Sequence, residues 1–143
     1  MPQAMSKVIV DASIALRWVL RDEKEAQVDV LLEQWAASLT EMLVPPLFPA
    51  EVTNALYLSV KRKRLTLEEA ELALRTIMEL GIQTAEPPGL YSRSLRLAVD
   101  YSTANAYDTQ YVALAEMESC ELWTADARLA ATMKPLPSCI RLV

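Results

Sequence analysis

The sequence contains no histidine and only two glycines. Without an imidazole, the chain has no Ser-His-Asp triad, no histidine general base and no zinc site that needs a histidine ligand. Two glycines are too few for a dinucleotide-binding fingerprint, a Walker loop or a G-x-S-x-G nucleophile turn. Most of the common enzyme classes are therefore excluded.

Cysteine and long apolar runs are also scarce. The two cysteines, Cys120 and Cys139, are too few for a disulfide framework, and we expect reduced thiols in a cytoplasmic protein. Asp11 and Arg17 interrupt any signal-peptide core near the start of the sequence. No stretch approaches eighteen uncharged apolar residues, so we expect no membrane partner.

The remaining composition is that of an ordinary globular protein. The 143 residues are 52% hydrophobic and 23% charged, which predicts a single domain spanning residues 1–143. The net charge of −5 argues against a passive nucleic-acid-binding module, which is normally basic. An enzyme that recruits cations to meet phosphates stays compatible with this charge.

Short β-branched or apolar runs alternate with helical patterns along the chain. The alternation, without tight Asn-Gly or Asp-Gly turns, predicts an α/β fold in three layers, with helices flanking a mainly parallel sheet of four to five strands. We predict strands at 8–10, 42–44, 82–85, 121–125 and 139–143. We predict helices at 13–20, 23–39, 49–64, 66–81, 90–101, 106–117 and 127–133. Such sheets bind ligands beyond the carboxyl ends of their strands.

Four acidic residues occupy positions where a charge is costly. Asp11 and Asp126 directly follow predicted strands, and Glu51 and Asp108 lie on inward-facing rows of predicted helices. Each also has a structural explanation. Asp11 and Asp126 suit helix N-caps, and Glu51 and Asp108 suit first helical turns, where a carboxylate meets the positive end of the helix dipole. For each acid considered alone, the structural explanation and the functional one are about equally well supported.

Taken together, the four positions favour a common site, because strand ends and the helix starts that follow them open onto one edge of a parallel sheet. Carboxylates gathered without a cation repel one another and raise each other's pKa. Oxygen-only ligands favour Mg²⁺ or Mn²⁺. The pattern therefore predicts metal-assisted hydrolysis of a phosphodiester.

Three neighbouring polar residues are candidate supporting groups. Ser13 lies two residues after Asp11, and Thr124 lies two residues before Asp126, so either hydroxyl suits a contact with a carboxylate. Asn54 lies one helical turn beyond Glu51. Ser13 as a simple helix cap and Asn54 as a polar residue at a helix edge stay open as alternatives.

Four blocks of the sequence, in this order, resemble the PIN domain and more narrowly the VapC-type toxin ribonucleases of toxin–antitoxin pairs. They are Val-Ile-Val-Asp-Ala-Ser at 8–13, Pro-Ala-Glu-Val-Thr-Asn-Ala-Leu at 49–56, Tyr-Asp-Thr-Gln-Tyr-Val-Ala-Leu-Ala-Glu at 107–116 and Leu-Trp-Thr-Ala-Asp at 122–126. The resemblance spans essentially the whole chain.

The resemblance implies a Mg²⁺- or Mn²⁺-dependent endoribonuclease whose catalytic and metal-binding residues are Asp11, Glu51, Asp108 and Asp126. It implies a parallel sheet in the order 3-2-1-4-5, an RNA substrate, a homodimer and a cognate antitoxin that fills a groove near the acids.

The residues that contact RNA are less clear from the sequence. Arg17 and Arg21 lie near the end of the first strand and are candidate phosphate contacts. The run Lys61-Arg62-Lys63-Arg64 is the most basic segment, but cations at a helix C-terminus are favoured by the dipole alone.

Two other functions are compatible with a small α/β fold carrying acids at strand ends. One is a receiver-like phospho-acceptor module, suggested by Lys134-Pro135, although Asp11 lacks the adjacent acid that such modules need. The other is a catalytically inert PIN-type binding domain.

Overall fold

The computed structural model describes residues 6–20 and 26–143. Strands and helices alternate along this part of the chain, as the sequence predicts. The strands are β1 (Lys7–Val10), β2 (Glu41–Val44), β3 (Gln83–Thr84), β4 (Glu121–Thr124) and β5 (Ile140–Leu142). The helices are α1 (Ala12–Val19), α2 (Ala26–Ala37), α3 (Phe48–Lys61), α4 (Leu67–Met78), α5 (Leu90–Tyr101), α6 (Asp108–Met117) and α7 (Ala127–Thr132).

The strands form one parallel sheet in the order β3-β2-β1-β4-β5. This order, which the family resemblance implied, is confirmed. β1 lies at the centre, where Val8, Ile9 and Val10 are at most 3% exposed, as expected of an apolar strand covered on both faces. The carboxyl ends of all five strands consequently meet at one edge.

Helices flank the sheet in two groups. α1 contacts α2, α3 and α4, whereas α5 packs on α6, which in turn lies against β1 and β4. In α6, residues 111–115 are at most 1% exposed. A helix so apolar on every side is typical of a core position, and its burial fixes where its first residue lies relative to the sheet edge.

The ends of the helices follow local capping rules. The predicted capping box is present, with the Thr66 hydroxyl accepting from Glu69 N at 3.1 Å and the Glu69 carboxylate accepting from Thr66 N at 3.0 Å. α3 ends at Lys61 rather than at the predicted residue 64, because Lys63 adopts a left-handed φ of 61°. Similarly, the predicted helix 66–81 ends at Met78, before Gly81 with its φ of 79°.

Two further predictions concern the cysteines and the length of the helices. Cys120 and Cys139 are both free thiols, in agreement with the expected reduced state. None of the helices within residues 6–20 and 26–143 combines the length and the apolar character that crossing a bilayer requires. The start of the predicted helix 23–39 falls partly on residues outside the described ranges.

Candidate active site

The four predicted acids lie around the carboxyl edge of the sheet. Asp11 directly follows the central strand β1, and Asp126 comes just after β4, which pairs with β1. Glu51 lies in the first turn of α3, which follows β2, and Asp108 is the first residue of α6, which precedes β4. Strand ends and helix starts therefore meet at this edge, as the sequence predicts.

Asp11 is only 8% exposed and is held by hydrogen bonds on both carboxylate oxygens. Its Oδ1 accepts from Ser13 N at 3.0 Å, from Ile14 N at 3.3 Å and from the Ser13 hydroxyl. Its Oδ2 accepts from the Thr124 hydroxyl. Asp11 thus caps α1, as one of the two interpretations predicts, and its role in the chemistry stays a prediction.

Ser13 and Thr124 join the ends of the two central strands. The Ser13 hydroxyl accepts from Ala125 N at 2.9 Å, and the Thr124 hydroxyl accepts from Asp126 N at 2.9 Å. Since both hydroxyls also donate to Asp11, each links the β1 end to the segment after β4. These bonds fix the spacing between the backbones that carry the two acids.

Glu51 has a partner that sequence reasoning missed. The Tyr111 hydroxyl, on a side chain that is 1% exposed, donates to Glu51 Oε1 at 2.5 Å. In the sequence, Tyr111 is one residue of the block 107–116, and nothing in that block singles out its hydroxyl as a partner of Glu51. Asn54, the predicted neighbour of Glu51, is exposed, and its supporting role stays a prediction.

The carboxylates of the site perturb each other's ionisation. Burial, aided by the charge of Asp126, raises the pKa of Asp11 from 3.8 to about 6 despite the hydrogen bonds from Ser13 and Thr124. Burial and the charges of the other three acids raise the pKa of Glu51 from 4.5 to about 7. Burial and the charges of neighbouring acids together hold both carboxyl pKa values above their usual range.

Asp108 and Asp126 adjoin an arginine that the sequence analysis did not single out. Asp126 caps α7 by accepting from Arg128 N at 2.9 Å, and its Oδ1 lies 3.5 Å from Arg128 Nε. Burial and the charge of Asp126 raise the pKa of Asp108, while the Arg128 charge opposes this rise. Asp126, like Asp11, both caps a helix and lies at the carboxyl edge of the sheet.

The spacing of the acids in the described part of the chain excludes direct ligation of one ion by three of them. Within residues 6–20 and 26–143, no three acidic or thiol side chains lie close enough together to ligate a single ion directly. The four acids lie at the same edge of the sheet but do not together surround a single ion. Mg²⁺ usually takes one or two protein carboxylates and keeps several waters, so the arrangement still fits this ion.

The predicted arginine contacts are only partly described. Arg17 is half-buried in the last turn of α1, about 9 Å along the helix from Asp11 at 1.5 Å per residue. Arg21 lies outside the described residues. The structure therefore leaves their role in RNA binding a prediction.

A second concave feature of the molecule lies away from the acids. A groove of about 770 Å³ lies between the end of α1, the end of α3 and α4, with Trp18, Arg64, Leu65 and Leu72 among its lining residues. None of the four acids lines it. We place the chemistry at the sheet edge rather than in this groove, because ionisable groups with perturbed pKa values are gathered at the edge.

Comparison with known proteins agrees with this geometry. The PIN domain family matches residues 8–134 of this chain. Ribonuclease VapC9 of Mycobacterium tuberculosis is 34% identical over 125 residues, which cover 87% of this chain and 90% of that protein. The chain belongs to the PIN-domain family. The resemblance found in the sequence is confirmed, and the receiver-like alternative is no longer needed.

Two solved structures share the fold of this PIN domain. PAE2754 from Pyrobaculum aerophilum has a TM-score of 0.67 at 24% identity, covering 92% of this chain and 88% of its own. The structure of VapBC2 from Rickettsia felis, bound to a DNA fragment from their promoter, has a TM-score of 0.68 at 14% identity, covering 94% and 96%. The parallel sheet of this PIN domain is therefore the family fold.

The donor set of this PIN domain is suited to a hard divalent cation. The candidate ligands offer carboxylate oxygens, and the neighbouring hydroxyls offer further oxygens, with no histidine in the chain. Burial and the charges of neighbouring acids raise the pKa values of Asp11 and Glu51, and a bound cation would stabilise their charged forms. The residues present consequently fit Mg²⁺ or Mn²⁺.

Proposed function

We propose that this PIN domain is a Mg²⁺- or Mn²⁺-dependent endoribonuclease and the toxin of a toxin–antitoxin pair. The observation that carries the proposal is the gathering of Asp11, Glu51, Asp108 and Asp126 at one sheet edge, where burial and the charges of neighbouring acids raise the pKa values of Asp11, Glu51 and Asp108. Its relative VapC9 is named a ribonuclease and matches along nearly all of both chains. The proposal covers residues 1–143 as one nuclease domain.

The side chains of the site divide into ligands and positioning groups. One or two cations would be held by Asp11, Glu51, Asp108 and Asp126, with no more than two of these carboxylates ligating the same ion directly and the others acting through bound waters. Ser13 and Thr124 orient the Asp11 carboxylate, and Tyr111 orients that of Glu51. A bound divalent cation supplies acidity to a water and neutralises charge on the phosphate.

The reaction is a hydrolysis at phosphorus. The water oxygen forms a new bond to phosphorus while the bond to the 3′ oxygen breaks, which leaves a 5′-phosphate and a 3′-hydroxyl. A carboxylate of the site can relay the proton that the water releases to the departing 3′ oxygen.

Partners follow from the same proposal. We infer a cognate antitoxin that binds near the acids, in keeping with the similarity of this fold to the VapBC2 structure from Rickettsia felis. We also infer a homodimer. Tyr91, Leu95 and Val99 lie at intervals of four residues on α5 and are 48%, 61% and 69% exposed, so they form an apolar stripe suited to a second copy. Cytoplasmic localisation is part of this inference.

The test is cleavage of total cellular RNA by the purified protein, with Mg²⁺, with Mn²⁺ and with a chelator. We expect cleavage by the wild type with either metal, none with the chelator, and none by Asp11→Asn. Asp100→Asn, the same chemical change at an exposed position of α5, is the matched control and should cleave normally. Cleavage by Asp11→Asn at the wild-type rate would contradict the proposal.

Calorimetric titration with Mn²⁺ separates the nuclease from an inert PIN-type binding domain. The nuclease proposal requires binding at millimolar or lower metal, weakened in Asp11→Asn. Absence of heat at millimolar Mn²⁺ would favour the inert alternative.

A further inference from the structure

We propose that a pocket beside Asp108 and Asp126 is a subsite for a nucleotide that flanks the scissile phosphate, with Arg128 as its phosphate contact. This inference rests on the proposed ribonuclease function. It adds a substrate-binding surface and a phosphate contact, Arg128. The sequence alone suggested Arg17 and Arg21 for the phosphate contacts.

The pocket is continuous with the acidic site. It has a volume of about 250 Å³ and lies between the segment 103–105, which connects α5 to α6, and one side of α7. Asp108 and Asp126 form the wall it shares with the candidate metal centre. A group bound here would therefore adjoin whatever the acids hold.

The lining combines an apolar surface with neutral polar groups. Leu129, 5% exposed, and Ala104 supply the apolar part, while Thr103, Asn105 and Thr132 supply hydroxyl and amide groups. Ligand sites are typically apolar with a few placed polar groups. A nucleobase or ribose matches this mixture better than a bare ion does.

The connecting segment is ordered by its own hydrogen bonds. The Thr103 hydroxyl donates to the Asn105 backbone carbonyl at 2.6 Å, and the Asn105 side-chain oxygen accepts from Tyr107 N at 3.0 Å. Since the Asn105 side-chain oxygen already has this partner, its amide nitrogen is the donor left for a ligand. A preformed wall lowers the ordering cost of binding.

Arg128 supplies positive charge beside the acids. RNA must approach a protein with a net charge of −5 at an edge that carries four carboxylates. The Arg128 side chain is 93% exposed, and its Nε lies 3.5 Å from Asp126, farther than a charge-assisted hydrogen bond. The guanidinium is held loosely enough to turn toward a phosphate, for which its planar fork is suited.

The experiment measures RNA binding separately from cleavage. In the cleavage-defective Asp11→Asn background, a short fluorescein-labelled single-stranded RNA of random sequence is titrated with protein between about 50 and 200 mM salt. We compare the parent with Arg128→Gln, Arg128→Lys and Arg96→Gln. Arg96 is exposed on α5, away from the pocket, and is the matched control.

We expect Arg128→Gln to weaken binding about tenfold at the low-salt end and to reduce the slope of log K against log salt by about 0.7, the value for one phosphate contact on a single strand. Arg128→Lys should keep the slope, and Arg96→Gln should match the parent. Ala104→Trp, which fills the pocket, should weaken binding without changing the slope. An Arg128→Gln protein with the parent's affinity and slope would overturn the inference.

Two further measurements distinguish a failure of the proposed subsite from a failure of the proposed ribonuclease function. In the otherwise wild-type protein, Arg128→Gln should raise KM for RNA about tenfold and leave kcat within about twofold. Its Mn²⁺ affinity, measured by calorimetry, should be unchanged or higher, because a cation next to the acids has been removed. If the wild type cleaves RNA while Arg128→Gln has an unchanged KM, the subsite fails alone. If the wild type cleaves no RNA, the function itself fails.

Discussion

Replacement of Asp11 by asparagine is expected to stabilise the metal-free protein while it abolishes cleavage. Asparagine is as good an N-cap as aspartate, so its side-chain oxygen can keep the bonds from Ser13 and Ile14. The new amide group must face the Thr124 hydroxyl, which can turn to accept from it. The substitution therefore removes a buried charge, at the cost of the acceptor that Asp11 Oδ2 offers to the Thr124 hydroxyl.

The magnitude follows from the raised pKa of Asp11. A folded-state pKa of about 6 against an ordinary 3.8 means that the charged form is disfavoured in the native state by about 3 kcal/mol. An acid whose pKa is raised by folding destabilises the native state once it ionises. Stability should thus fall as the pH rises from about 4 to about 6, then level off for this group. Glu51, with its pKa near 7, extends the decline to about that pH.

The assay is urea unfolding in a chelator at several pH values between about 4 and 8. We expect Asp11→Asn to exceed the wild type by about 1 to 3 kcal/mol at neutral pH and to show a shallower decline. Added Mn²⁺ should stabilise the wild type and leave Asp11→Asn nearly unchanged. The exposed control Asp100→Asn should follow the wild type. Equal stability of Asp11→Asn and wild type across this range would refute the reasoning.

Three other substitutions test the surrounding contacts. Tyr111→Phe removes the donor to Glu51, and we expect about tenfold more Mn²⁺ for half-maximal cleavage and restored activity at saturating metal, measured by metal titration. Thr124→Val leaves Asp11 Oδ2 and Asp126 N without their shared hydroxyl, and should cost about 1 to 3 kcal/mol in urea unfolding. Thr66→Ala removes the cap of α4 and should cost about 1 kcal/mol with cleavage unchanged, since the cap lies outside the site.

The sheet and the acids at its edge could be predicted because they depend on local patterns. The apolar run Val8-Ile9-Val10 predicts a strand buried on both faces, and a charged residue directly after it must lie at an end of that strand. The alternation of strands and helices then brings Asp11 and Asp126 to the same edge. The strand order came from the family resemblance, because alternation alone permits several orders.

Tyr111 and Arg128 could not be found in this way. The Tyr111 ring belongs to the apolar row of α6, and its hydroxyl meets Glu51 across 60 positions of sequence, a contact that only packing determines. Arg128 follows a helix cap, where an exposed arginine is ordinary. Sequence proximity to β1 favoured Arg17, which lies in the last turn of α1 and stays a candidate contact.

The same hydrogen bonds that cap helices also build the site, and this explains how the acids are tolerated without a cation. Asp11 and Asp126 each satisfy backbone N–H groups at the start of a helix, so part of the cost of burying Asp11 is offset by capping. Capping does not remove the repulsion felt by Glu51, whose pKa stays near 7. The site therefore retains unfavourable negative charge at neutral pH, which a bound cation would neutralise. Metal binding and conformational stability should consequently be coupled through these acids, and the coupling should weaken in Asp11→Asn.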